Sequence, residues 1–119
     1  MSCQTSDTGR INLYDTEEIL NEGDSFTSKD YQNSDQELRL IEFSGTYTMK
    51  TLDLCREVTI LIDWKINKGH MRVLWITSDD QVIELHQGTN HFQLSEGVHR
   101  LKMIGEKITG SINWVISYS

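Results

Sequence analysis

Apolar and polar residues alternate along most of the chain after residue 38. From 58 to 66 every second residue is apolar, and Thr59, Asp63 and Lys65 fall between them. Residues 41–49 show the same period of two, which is the signature of a half-buried β-strand. Because such runs recur with turn residues every 8–12 positions, the sequence predicts an all-β fold. The arrangement we expect is an antiparallel two-sheet β-sandwich, similar to a jelly roll.

Glycine, asparagine, aspartate and serine mark the predicted breaks between strands. The chain contains no proline, so these residues must form its turns. Residues 67–70 predict a turn in which Gly69 adopts a positive φ. Further breaks are predicted at 78–80, 87–90, 95–97 and 105–110.

Two irregularities in the alternation carry structural information. In the run at 41–49 the apolar residues occupy odd-numbered positions, whereas Leu38 and Leu40 occupy even-numbered ones. This change of parity, that is, of the side of the strand that is apolar, predicts a bulge or bend near residue 40. Residues 74–76 are apolar on both faces, which predicts a strand that is central in the sheet or lies under a covering segment.

The N-terminal third of the chain is more polar. Residues 1–12 predict a flexible lead-in, and 13–119 a single domain of ordinary size. A short helical turn is predicted to end at Leu20, with Asp15 as its cap and Glu18 three residues on, as in a capping box. Residues 21–37 predict an edge strand and a long loop.

The predicted core consists of large apolar residues on the inward parity of the strands. They are Phe43, Tyr47, Val58, Ile60, Ile62, Trp64, Val73, Trp75, Leu85, Phe92, Leu94, Leu101, Met103, Ile112, Trp114 and Ile116.

The acidity of the chain is confined to its first half. The formal charge is −7, and residues 1–60 hold twelve acids against five bases, whereas residues 61–119 hold six of each. A net negative surface disfavours binding to nucleic acid and to anionic lipid. Arg72, Arg100 and Lys102 lie on outward parity and form a small predicted basic strip, which is weak support for nucleic-acid binding. No apolar run approaches the length of a membrane span.

The polar residues show no catalytic spacing. His86 and His91 flank one turn, and Glu84 shares a face with His86, but a zinc site needs a third or fourth ligand. We therefore interpret these two, with His70 and His99, as scattered surface or edge histidines. The acid pairs at 17–18 and 79–80 are expected to be solvated. The chain carries no phosphate loop, nucleophile elbow or zinc-protease motif, so we expect no enzyme activity, metal or cofactor.

The two cysteines lead to different expectations. Cys55 precedes the strand at Val58 and is expected to be a buried or half-buried thiol. A Cys3–Cys55 bridge is disfavoured because Cys3 lies in the polar lead-in. Cys3 followed by a polar linker and a small domain resembles a mature bacterial lipoprotein, in which Cys3 would carry the lipid. An ordinary free cysteine is the alternative.

The second half of the chain carries a further resemblance. Residues 69–88, 92–97 and 98–105 are similar to small exported β-sandwich domains of Gram-positive bacteria, most of them uncharacterised. The shared pattern is a strand, an Asp-rich turn and a strand, followed by a strand in which a glycine, basic residues and apolar residues lead to a second glycine. This resemblance implies a fold and an export route, and it implies no activity.

The resulting hypothesis is a non-enzymatic binding or interaction domain. It would be membrane-anchored outside the cell if Cys3 is lipidated, and cytoplasmic otherwise, with a protein or glycan partner or a second copy of itself. The alternative is a carbohydrate-binding β-sandwich that stacks sugars on Trp64, Trp75 or Trp114, although all three lie on the core parity of their strands.

Overall fold

The computed structural model describes residues 13–21, 23–34, 36–53 and 56–118. The predicted lead-in at 1–12 and both cysteines, Cys3 and Cys55, lie outside the described residues. The expectations of a lipidated Cys3 and of a buried Cys55 thiol therefore stay predictions.

Within these residues one short helix precedes seven antiparallel strands, which confirms the all-β prediction. The elements are α1 (Thr16–Leu20), β1 (Phe26–Thr27), β2 (Asp30–Asn33), β3 (Glu37–Asp53), β4 (Glu57–Ile76), β5 (Val82–Glu84), β6 (Gly88–Gln93) and β7 (Val98–Tyr118). The strand order is β1-β3-β7-β4-β5, with β2 beside β3 and β6 beside β4. The edge strand predicted within 21–37 is therefore present as β1 and β2.

All seven strands belong to one hydrogen-bonded sheet, so the predicted division into two sheets is not confirmed. The sheet instead folds over on itself. Twenty extended residues of β4 would span about 65 Å, whereas the longest dimension of the molecule is 46 Å. Phe92 pairs with Val58 near the start of β4, yet its ring stacks on Trp75 near the end of β4, at a centroid distance of 5.5 Å. The two ends of the long strands therefore face each other as two layers.

The fold line crosses β3, β4 and β7 where their pairing shifts. Register irregularities lie between Leu40 and Phe43 on β3, which confirms the predicted bulge, and between Ile66 and His70 on β4. Gly69 has φ 90, and a Cβ there would lie 2.4 Å from the carbonyl oxygen of Glu106, so this position requires glycine.

Two of the predicted breaks between strands, at 67–70 and 105–110, are wrong. β4 runs through 67–70 and β7 runs through 105–110, so neither segment reverses the chain. The physical reason is that a positive φ can bend a strand as well as end it. Glu42 and Lys107 also adopt positive φ at this fold line, at 48 and 51. An exposed bend within a strand and a hairpin turn both favour polar residues and glycine, so the sequence pattern at 67–70 and 105–110 resembles that of a hairpin.

The main core lies between the two layers. Most predicted core residues are buried there, and Tyr47, Trp64, Phe92 and Ile116 are partly buried against them. The bend near residue 40 changes the parity of β3, so Ile41 is 42% exposed while Leu38 and Leu40 are buried. The prediction omitted Leu38, Leu40, Met49, Leu52 and Ile108, which also belong to this cluster.

A second, smaller cluster lies on the outer side of one layer. Ile19 of α1 packs there with Leu74, Ile76 and Ile104. The covering segment predicted from the two apolar faces of 74–76 is thus α1. This helix has five residues, and no helix in the described part of the chain is long and apolar enough to cross a membrane.

Candidate functional site: two outer faces of one sheet

The folded sheet has two outer faces, one on each layer. The covered face consists of Leu74, Ile76 and Ile104 with the cations Arg72, Arg100 and Lys102, and α1 lies over it. The open face is on the other layer and consists of outward residues of β3, β4 and β7: Glu37, Leu61, Asp63, Asn113 and Val115.

Local sequence explains why α1 forms over the covered face. Asp15 caps the helix by accepting a hydrogen bond from the Glu18 backbone N–H at 3.3 Å, as predicted. Ile19 then points to the sheet and is 3% exposed. The helix ends at Leu20, and the carbonyls of its last turn face the sheet cations.

Three cations of the sheet bind main-chain carbonyls of the α1 segment. Arg72 Nη1 donates to the Leu13 carbonyl at 2.8 Å. Arg100 donates to the carbonyls of Asn21 and Leu20 at 3.0 and 3.1 Å. Lys102 Nζ donates to the Asn21 carbonyl at 2.6 Å. Arg100 and Lys102 thus lie at the carboxyl end of α1, where cations are favourable because the carbonyls lack partners within the helix. The Leu13 carbonyl that Arg72 binds precedes the helix.

These contacts correct the prediction of an exposed basic strip. Arg72, Arg100 and Lys102 do share the outward face of the sheet, but α1 covers them, and Lys102 is only 1% exposed. Arg72 is also paired with Glu84 at 2.7 Å. The strip therefore gives no support for nucleic-acid binding.

Lys102 has an unusual electrostatic environment. Burial lowers the pKa of its ammonium group, and the charge of Arg100 lowers it further, whereas Asp24 and Glu18 act in the opposite direction. The Asp24 carboxylate is itself held by Thr48, accepting from its backbone N–H at 3.0 Å and from its hydroxyl at 2.9 Å.

The open face presents two aliphatic side chains to solvent. Leu61 and Val115 are partners across β4 and β7 and are 52% and 45% exposed. Isolated exposed aliphatic residues are ordinary on protein surfaces, but these two adjoin at the centre of a sheet layer. They are flanked by a polar row in which Glu37, Asn113 and Asp63 are cross-strand neighbours.

A groove of about 560 Å³ runs along the open face. Leu61 and Val115 supply apolar lining, and Glu37, Asp63 and Asn113 supply most of the polar groups, together with Ser34 and Gln36 near the turn that joins β2 to β3. No histidine or cysteine is among the described residues that line it. The arrangement can bind a surface that combines an apolar group with hydrogen-bond donors.

A second groove, of about 880 Å³, lies at the fold line. Its charged residues have both signs, with Glu42 and Glu106 opposite Lys68 and Lys107, and His70 is exposed beside them. Because the charges balance, this groove shows no preference for a ligand of either sign.

The structure separates the other residues that sequence analysis singled out. His91 bonds the Thr59 hydroxyl at 2.9 Å, while His86 is exposed, and no three metal-ligating side chains come together within the described ranges. His99 is not a surface histidine, which corrects that interpretation. It is buried, accepts from the Ser78 backbone N–H at 3.3 Å and bonds the Ser95 carbonyl at 2.8 Å.

The acid pairs and the tryptophans also have clear positions. Asp79 and Asp80 are exposed in a turn, and Glu17 is exposed on α1. Trp75 and Trp114 are buried, and Trp64 is partly buried against the core. Of the three tryptophans, only Trp64 is partly accessible, so their rings serve mainly the core.

Sequence reasoning missed the open face, although a signal for it was present. Leu61 and Val115 each occupy the polar parity of their strand, where an apolar side chain must face solvent or a partner. Compared with models of known protein families and with curated protein sequences, the chain matches none.

Proposed function

We propose that this chain is a non-enzymatic interaction domain that binds a protein partner through the open face. One observation carries the proposal. Of the two outer faces of the same sheet, one is covered by α1, while Leu61 and Val115 remain exposed at the centre of the other.

The chemistry of the open face favours a partner that is both apolar and cationic. Leu61 and Val115 offer apolar surface, and the adjoining row adds the exposed carboxylate of Asp63 beside Asn113. Glu37, on the other side of Asn113, is paired with Arg39 at 3.4 Å. The net charge of −7 attracts positively charged partners at a distance. The partner surface we expect carries an exposed apolar side chain next to a lysine or arginine.

The edges of the sheet differ in length. β1, β5 and β2 have two, three and four residues, and short edge strands limit pairing with another chain. β6 is also an edge and has six residues, so the choice of the sheet face rests on the exposure of Leu61 and Val115.

The carbohydrate-binding alternative has lost the feature that motivated it. Its stacking platforms were to be Trp64, Trp75 and Trp114, and two of these are buried while the third packs against the core. Trp114 does line the groove on the open face, but it is only 2% exposed, and the exposed apolar lining is Leu61 and Val115. A protein partner is therefore the proposal that we retain.

Site-specific photo-crosslinking tests the proposal. A photoreactive residue at Ser117, exposed and two positions after Val115, is introduced into the full chain expressed in its own host; the control probe is at Lys107, exposed at the fold line. We expect one discrete crosslinked partner from the probe at Ser117 and none from the control. Excess unlabelled wild-type chain should suppress the crosslink, whereas the Leu61→Asp chain should not.

Two outcomes contradict the proposal. One is a crosslink that lacks specificity: either both probes give it equally, or excess L61D chain suppresses it as well as excess wild-type chain does. The other is the absence of any crosslink at Ser117. Because Leu61 is half exposed, L61D should retain the thermal stability of the wild type, which serves as the check on folding.

Presentation of the domain at the cell surface is the second part of the proposal. It rests on the position of Cys3 ahead of a polar linker, which resembles a mature lipoprotein. The intact mass of the chain from its native gene and host, measured in membrane and soluble fractions, tests this. A diacylglyceryl mass on Cys3 in the membrane fraction supports surface presentation, and an unmodified cysteine in the soluble fraction overturns it.

A further inference from the structure

The hydrogen bonds that hold α1 on the sheet have an unusual common feature. Within the described part of the chain, those from Arg72, Arg100 and Lys102 to the α1 segment all end on main-chain carbonyls. Main-chain carbonyls are present in every peptide. The contacts of Arg100 and Lys102 recognise the carboxyl end of a helix. Arg72 binds a carbonyl ahead of the helix, and its guanidinium lies over the ring of Tyr14, 4.1 Å from the centroid.

Sequence-dependent recognition of α1 has an apolar part and a charged part, and Leu13 and Leu20 contribute to the first as partly buried neighbours of the cluster. Ile19 is the residue of the helix that is buried, among Leu74, Ile76 and Ile104. The first turn of the helix carries Glu17 and Glu18, and its last turn carries no basic residue. A short acidic helix thus lies on a face that supplies three cations around an apolar centre.

The helix is also poorly able to persist by itself. A five-residue helix is far shorter than the length at which isolated helices become stable in water. No strand of the sheet pairs with it in the described residues, so its removal breaks no backbone ladder. Elements with few buried contacts of this kind open more readily than core strands do.

We propose that the covered face is a docking site for short acidic amphipathic helices, and that α1 is its occupant within the chain. A partner that presents one inward aliphatic residue, an acidic first turn and a free carboxyl-terminal turn can replace α1. Charge complementarity between Lys102 and the acidic first turn is the basis for this choice of partner, since Lys102 Nζ lies 3.5 Å from the main chain of Glu18. The site is separate from the open face, so either proposal can fail without the other.

Peptide binding to the full chain tests the docking site. The probe is the peptide of residues 13–21, and the readout is the backbone amide shifts of the isotope-labelled chain carrying Ile19→Asp. An aspartate at this buried position should release α1 and free the face. We expect saturable shift changes at millimolar peptide, confined to 71–76 and 100–104. The wild-type chain should bind the peptide at least about tenfold more weakly, because its tethered helix competes at a high effective concentration.

Matched variants make the test specific. A peptide that carries I19D should not bind, because it lacks the apolar anchor. Adding Arg100→Gln to the I19D chain should weaken binding about tenfold through the loss of charged hydrogen bonds. The L61D chain is the control, since an aspartate on the open face leaves α1 in place, and its affinity should equal that of the wild type.

Three results overturn the proposal. The first is a folded I19D chain that shows no shift changes with the peptide. The second is equal binding of the peptide with and without its isoleucine. The third is an I19D chain that is unfolded by circular dichroism, because α1 would then be an integral part of the fold and not an exchangeable occupant.

Discussion

The covered and open faces are two ends of the same strands, yet they differ in how their outward apolar residues are accommodated. On β4, Leu74 and Ile76 are buried under α1, whereas Leu61 is half exposed. On β7 the corresponding contrast is between Ile104 and Val115. The alternation of residues along a strand therefore does not by itself decide burial in a folded sheet. What decides it is whether another segment of the chain reaches that layer.

The difference extends to charge. The covered face uses its cations to bind carbonyls of the α1 segment, so most of their hydrogen-bonding capacity is directed within the chain. The open face keeps Asp63 and Asn113 exposed. The three cations of the covered face thus serve contacts within the chain, whereas the open face leaves the carboxylate of Asp63 accessible. This division agrees with the proposal of a cationic partner for the open face.

Replacing Trp75 by alanine should have the largest effect, because it removes the core that both faces share. Trp75 is fully buried in one layer, and its ring stacks on Phe92, which belongs to the other layer. We expect the free energy of unfolding to fall by about 3–5 kcal/mol. Urea denaturation followed by tryptophan fluorescence measures this loss. A loss below about 1 kcal/mol would mean that the two layers do not depend on each other as described.

A matched pair of alanine variants measures the comparison between the faces directly. Ile19→Ala removes buried apolar surface from the covered face and should lower the free energy of unfolding by about 2 kcal/mol, the low end for such a change, because α1 can move to fill the space. Leu61→Ala removes exposed surface from the open face and should change it by less than about 0.5 kcal/mol. Equal losses in urea denaturation would refute the distinction between a covered and an open face.

Several features of this arrangement were predictable from local sequence. The two-sided apolar pattern at 74–76 predicted the covering segment, and Asp15 with Glu18 predicted the capped turn that supplies it. The mismatch in parity at Leu40 predicted the bulge on β3. Each of these is a short-range relation between residues, in which the side-chain pattern and the backbone constraint lie in the same few positions.

The features that sequence did not predict depend on pairing between distant residues. Gly69 permits either a hairpin or a bend, and the choice depends on β7 running alongside β4 on both sides of it. Leu61 and Val115 lie far apart in the chain, so their meeting on one face requires knowledge of the strand order. For the same reason, the outward parity of Arg100 and Lys102 could be predicted, but their burial under a segment some eighty residues away could not.

Removing the cap of α1 should have a smaller effect that is confined to the covered face. In Asp15→Ala the Glu18 backbone N–H loses its side-chain acceptor. We expect a loss of about 0.5–1 kcal/mol, because this hydrogen bond is exposed and 3.3 Å long. Amide hydrogen exchange should show faster exchange at Ile19 and Asn21, whose N–H groups donate within the helix, and unchanged exchange at Leu61 and Val115. Faster exchange on both faces would show that α1 stabilises the whole sheet and not one face.

The smallest effect that we expect is a pH dependence specific to the covered face. Burial lowers the pKa of Lys102 in the folded chain below its ordinary value of about 10.4. Between these two pKa values the unfolded chain binds more protons than the folded chain does, so the contribution of Lys102 to stability rises with pH. It is complete above ~10.4 and is lost as the pH falls through the lowered pKa. Lys102→Met should remove this contribution, so the difference in the free energy of unfolding between wild type and K102M should shift in favour of the wild type as the pH rises through the alkaline range.

Because α1 and not solvent surrounds this ammonium group, the same comparison in the I19D background should show a weaker pH dependence. A difference that is independent of pH in both backgrounds would mean that Lys102 is solvated in the folded chain and that the covered face is open.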